Sequence, residues 1–331
     1  METHYFNPYA AQTFFSFFAV LLQRLSGFIS GSLGWNDLAA DEIQLLVLTC
    51  VSASSALVGT FLILRKMTML ANSISHTILL GIVLAYLATR GGLIGDQTEM
   101  HHEINLAAML WAALLTGIAT SFLTEFLTKV AKLQEDASTG LVFTSLFALG
   151  VVLVTLLTRS SHIGLEVVMG NADGLQKEDC KLVFIILALN IGLFSLFYKE
   201  YLLTTFDSGL AKVLGFSPLF FNYLLMVQVS STVVGAFRAV GVLMVLAFIT
   251  GPVLTARLMT HRLKTLLILA AVLGMASSWI GVAFSRHILT RYDMALSTGG
   301  LVVCVIVILY IVALAGFQVS KQLFLKPNPD F

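Results

Sequence analysis

Long apolar runs separated by short polar breaks set the pattern of this chain. Nine of them approach the roughly 20 residues that a bilayer core requires of a helix: 43–64, 72–89, 104–127, 138–158, 182–198, 218–237, 239–259, 263–285 and 298–317. The sixth and seventh are parted only by Arg238, so one of the two is expected to be short or broken. An earlier Phe-rich stretch, 10–29, contains Gln12, Gln23 and Arg24. It reads as an interfacial helix or a further span within an N-terminal segment, residues 1–41. The pattern predicts an all-α fold, a polytopic membrane bundle of roughly 8–10 transmembrane helices forming a single domain over residues 1–331.

Composition narrows the class. Of 331 residues, 58% are hydrophobic and 11% charged, against roughly 25% charged in an ordinary soluble domain. That charge cannot cover a soluble globule of this size, and a sequence this apolar is not a disordered one. A net charge of +1 with no basic block disfavours nucleic acid as a partner and leaves the lipid bilayer. Cys50, Cys180 and Cys304 form no CxxC pair and read as packing residues. Residues 1–12 contain no Lys or Arg, so no cleavable signal peptide is expected.

Loop charges orient the spans. Arg65, Lys66, Lys129, Lys132, Lys199, Lys212, Arg257, Arg262, Lys264, Lys321 and Lys326 fall at one set of ends. They outnumber Arg90, Arg159, Lys177, Lys181, Arg238, Arg286 and Arg291 at the other. The larger set, and the C-terminus with it, is expected on the cytoplasmic side.

The sharpest polar feature lies inside an apolar run. Asn72 and His76 are four residues apart and share one helical face, and Ser73 and Ser75 lie between them. His76 lies roughly 15 Å beyond Lys66 along a helix, near the middle of a ~30 Å hydrocarbon layer. An ionisable group at that depth is costly without a partner or a task. The amide oxygen and imidazole nitrogen suit Mn²⁺, Fe²⁺ or Zn²⁺ passing through, with further donors supplied from elsewhere. A structural histidine bonded to a neighbouring helix is the alternative.

Other candidates are weaker. His101, His102 and Glu103 occupy an external loop that can capture a metal ion or be incidental. Gly251 and Pro252 interrupt the seventh run as a gate, a hinge or a packing kink. Glu135 and Asp136 suit a helix N-terminus or a cytoplasmic exit. His162, His261 and His287 lie at span ends. Between the fifth and sixth runs, Phe206, Leu210, Val213 and Leu214 form one apolar stripe, with Asp207 placed to cap a short helix and Gly215 to end it. Such a helix docks on another protein or forms an interfacial turn.

With Arg65-Lys66-Met67 and Ser75-His76 in hand, the sequence resembles the membrane permeases of metal-importing ABC transporters, the ABC-3 family. The family's early signature, roughly FLVLRRM-S-L-MGDALSHAVLPGVALAYL, corresponds to residues 61–87. Further matches follow in family order: residues 135–150, Met169-Gly170-Asn171, Tyr198-Lys199-Glu200 through Phe206-Asp207 to Leu214-Gly215, and Val240-Gly241-Val242-Leu243 followed by Pro252 and Thr255-Ala256-Arg257-Leu258. They span residues 43–317.

The resemblance implies a type II-like importer permease of the bacterial inner membrane. It implies a second permease subunit, identical or not, two cytoplasmic ABC ATPase subunits, and an extracytoplasmic metal-binding protein. The cargo is a divalent ion of manganese, iron or zinc, and no cofactor is implied. Residues 199–217 become the ATPase-coupling loop, with Glu200, Phe206, Asp207 and Gly215 its marked positions. The family's Asp and His linked to metal passage map onto Asn72 and His76. The neutral amide at 72 removes a charge that would offset a dication.

Two other classes are weaker. An intramembrane enzyme built on His76 lacks an acid, and the adjacent Ser75 points to another face. His102 does not begin a His-Glu-x-x-His zinc motif, because Leu106 stands at the fifth position. No GxxxxGK[ST] phosphate loop is present, so any ATP hydrolysis belongs to a partner chain. An importer of an organic metal chelate would need a wider channel with fewer ligands.

Overall fold

The computed structural model describes residues 8–9, 12–32, 34, 37–89, 106–158 and 172–325. The described residues form α1 (Phe14–Ile29), α2 (Ala40–Leu64), α3 (Thr68–Thr89), α4 (Leu106–Val130), α5 (Glu135–Thr158) and α6 (Lys177–Leu196). They continue with α7 (Tyr198–Phe206), α8 (Ser208–Val213), α9 (Pro218–Met259), α10 (Leu263–Tyr292) and α11 (Thr298–Leu325), with one 3-10 turn at Ala172–Gly174 before α6. Eight helices among the described residues are long and apolar enough to cross a membrane, and two shorter apolar helices, Phe14–Ile29 and Met244–Met259, accompany them. The all-α, multi-pass architecture expected from the apolar runs is the one observed.

Helix ends follow their sequences. Lys66, in the left-handed region at φ 62°, ends α2: its N–H donates to the Ile63 carbonyl, and the next N–H, of Met67, reaches back to Leu62. Asp41 and Glu42 fill the first turn of α2, and Glu135 and Asp136 that of α5, where carboxylates meet the positive end of the helix dipole.

Sequence and structure differ at α9. The charge at Arg238 suggests the break, yet Arg238 is helical and the non-helical backbone falls at Gly241, with φ 72° and ψ 169°. Those angles are essentially open only to glycine, so the residue without a Cβ takes the break and the charged one does not. Gly251 and Pro252 stay within the helical part. A Cβ on Gly251 would sit 2.2 Å from Cγ2 of Ile306, so this glycine lets α11 approach closely.

The chain divides into two compact units, and three of the four boundaries fall inside α2, α6 and α9. The first comprises residues 1–60, 171–185 and 247–331. In it α10 packs on α11, and α1 on α10. Arg24 of α1 pairs with the buried Glu42, which also accepts from the Tyr9 hydroxyl at 2.9 Å, and Arg286 of α10 pairs with the buried Asp41. The second comprises residues 61–170 and 186–246. Here α3 packs against α4 and α5 at glycine contacts: Gly81 on Thr116 and Ala112, Gly117 on Ile74, Gly150 on Leu80.

Candidate functional site

Within the second unit, α3 buries most of one turn after another. Ala71, Ser73, Ile74, Ser75, Thr77 and Ile78 are buried, while Asn72 and His76, one turn apart, are only partly buried. The His76 ring lies 5.3 Å from Phe143 and 5.4 Å from Phe147 of α5, two rings that stack on each other. Its Nδ1 is buried without a hydrogen-bond partner. An unmade hydrogen bond of this kind costs about 1–3 kcal/mol. The imidazole thus packs on α5 through its ring, with no hydrogen bond to Nδ1 among the described residues.

The two serines between them divide. Ser75 Oγ donates to the Ala71 carbonyl at 2.8 Å and is committed to its own helix, while Ser73 Oγ is buried and unpaired. No group of three His, Cys, Asp or Glu side chains able to hold a metal forms among the described residues. Asn72 and His76 remain a pair one turn apart on α3, with no such cluster around them among the described residues.

The 199–217 segment, expected as one short helix, is two. Backbone angles at Phe197 (φ −106°, ψ 28°) separate α6 from α7, and Asp207 separates α7 from α8. The Asp207 carboxylate accepts from the Leu210 N–H at 2.9 Å, which caps α8 as its position suggests. Gly215, at φ 84°, closes α8, with its N–H donating to the Lys212 carbonyl and that of Phe216 to Ala211. Phe206, Leu210, Val213 and Leu214 are exposed, Val213 at 83%. Lys199, Glu200, Phe206, Asp207, Leu214 and Phe216 line a cleft of about 370 Å³, and Glu200 Oε2 is buried without a partner.

Sequence reading overlooked how α7 is fastened. Arg65 Nε donates to Thr205 Oγ1 at 3.0 Å, Nη2 to Thr204 Oγ1 at 3.0 Å and Nη1 to Asn222 Oδ1 at 3.3 Å. Beside it, the Tyr201 hydroxyl donates to Gln228 Oε1, Gln228 Nε2 to Asn190 Oδ1, and Asn190 Nδ2 to Thr232 Oγ1. Burial lowers the pKa of the guanidinium and raises that of the phenol. The isolated Asn190 and Gln228 within apolar runs were the available signal.

Asn72, His76, Glu200, Phe206, Asp207 and Gly215 belong to the second unit, Gly251 and Pro252 to the first. His101, His102 and Glu103, His162, and Met169-Gly170-Asn171 lie outside the described residues.

Long apolar helices carrying an isolated polar pair define a multi-pass helical membrane protein. The chain belongs to the ABC 3 transport family, whose sequence model matches residues 43–316. It is 38% identical over 320 residues to a "Probable metal transport system membrane protein" of Chlamydia muridarum, covering 97% of this chain and 98% of that one. It is 30% identical over 286 residues to the "Manganese transport system membrane protein MntC" of Listeria monocytogenes, covering 86% and 94%. Among solved structures, a chain of PsaBC from Streptococcus pneumoniae, in complex with Fab, matches with a TM-score of 0.69 at 25% identity over 87% of this chain and 95% of that chain.

Proposed function

We propose that this chain is the permease subunit of an ATP-driven importer of divalent transition-metal ions, manganese, iron or zinc, working by alternating access in a bacterial inner membrane. Asn72 and His76 form the metal pathway. Two permease chains meeting along this face would bring two such pairs together and double the donor set. Cytoplasmic ABC ATPase subunits would dock on α7–α8, hydrolyse ATP and rock the permeases, while an extracytoplasmic metal-binding protein delivers the ion. His101, His102 and Glu103 would serve capture, and Gly251 with Pro252 a hinge. The C-terminus is cytoplasmic in this scheme.

The observation that carries the reading is the unpaired Nδ1 of His76, one turn from Asn72 on a half-open face of an apolar helix. The family and the metal-transport names of the relatives support it. Exposed apolar side chains on α7–α8 support docking of a partner there. In cells expressing the whole system, His76→Ala is expected to reduce radiolabelled Mn²⁺, Fe²⁺ and Zn²⁺ uptake to background while the ATPase still co-purifies. Unchanged uptake of all three ions removes His76 from the pathway.

A further inference from the structure

Arg65 sits at the turn that joins α2 to α3, three residues before α3 begins. Its guanidinium reaches two consecutive threonines of α7 and an asparagine of α9, all neutral oxygens, and among the described residues no carboxylate pairs with it. A planar fork with several fixed donors holds such a set in one geometry, which a single ammonium cannot do. Thr204 is buried and Thr205 half-buried, so the contact is shielded from competing water. One turn back on the same face, α7 is tied inward through Tyr201 and Gln228.

We infer that Arg65 is a latch: it fastens α7 to the head of α3, so that α7–α8 and the helix carrying Asn72 and His76 move as one piece. Arg65 is a positioning residue in this arrangement and touches no ion. Motion imposed on α7 reaches Asn72 within about 6 Å of the start of α3 and His76 within about 12 Å, along a continuous helix. The glycine contacts with α4, at Ile74 and Gly81, guide α3 on the side turned away from the pair, while α5 meets α3 at Leu80, one turn from His76. The part played by the moving pair rests on the transport function proposed above; the fastening itself does not.

Two measurements on the full chain test the latch. Arg65→Lys keeps the charge and with it the insertion signal, but cannot bridge three acceptors. Amide exchange across Leu202–Phe206 in the purified protein is expected to rise at least tenfold, and in vesicles holding the assembled transporter the Mn²⁺ moved per ATP hydrolysed is expected to fall at least fivefold. Thr204→Val with Thr205→Val should reproduce both changes, and combining it with Arg65→Lys should add nothing, because all three substitutions break one contact. Unchanged exchange, additive losses, or raised exchange with an unchanged Mn²⁺-to-ATP ratio each overturn the latch. Should the unaltered transporter move no Mn²⁺, Fe²⁺ or Zn²⁺, the transport function falls, and amide exchange with its additivity still decides whether Arg65 fastens α7.

Discussion

Position 72 holds a neutral amide one turn from an imidazole with an unsatisfied nitrogen. A carboxylate there would add attraction for a dication, about 4 kcal/mol per unit charge at 4 Å for an effective dielectric near 20. Asn72→Asp is therefore expected to tighten Mn²⁺ retention by the purified chain at least tenfold in equilibrium dialysis, and to slow release enough that uptake does not rise in step. An unchanged affinity would place Asn72 outside the ion's coordination sphere. This pair was legible in the sequence because lone polar residues stand out in an apolar run and a spacing of four needs only a helix to become a face. Arg65 was visible as a loop charge and as part of the Arg65-Lys66-Met67 motif, but not as a fastening. Its acceptors lie 139, 140 and 157 residues away, and nothing local announces them.

At the scale of elements, apolar runs located the spans well, since a bilayer imposes both length and composition. They were poorer at where helices stop. Charge at Arg238 proved a weaker breaker than the backbone freedom of Gly241, and the fifth run hid a second junction at Phe197 because an apolar residue can interrupt a helix without interrupting hydropathy. In α8, a helix too short to hold itself, the Asp207 cap contributes about 1 kcal/mol. Asp207→Lys removes the acceptor and sets a cation against the positive end of the helix. Stimulation of the partner ATPase by metal-loaded binding protein is expected to fall to less than a tenth, with normal amounts of the chain in the membrane. Full stimulation would relocate the docking segment.

For the whole molecule, each compact unit has its own polar fastening. In the first it is ionic: Arg286 holds Asp41, whose side chain is completely buried, and Arg24 holds Glu42. Stripping a buried carboxylate of its guanidinium costs about 3–5 kcal/mol. Arg286→Met should accordingly lower the thermal unfolding midpoint of the detergent-solubilised chain by several degrees, and Asp41→Asn in the same chain should recover part of the loss. No recovery would mean that Arg286 acts through packing alone. In the second unit the Arg65 contacts are joined by a neutral chain, Tyr201–Gln228–Asn190–Thr232, where each hydrogen bond within a membrane contributes about 0.6 kcal/mol on average.

Gly241 bears on how this gene can vary. Its φ of 72° with ψ of 169° strains any residue with a side chain by about 1–3 kcal/mol. Every single-base missense change in a glycine codon brings in a side chain. The joint in α9 therefore has no one-step neighbour in sequence space that keeps its backbone relaxed, and drift at this codon is confined to synonymous change unless a second substitution first reshapes the helix around it.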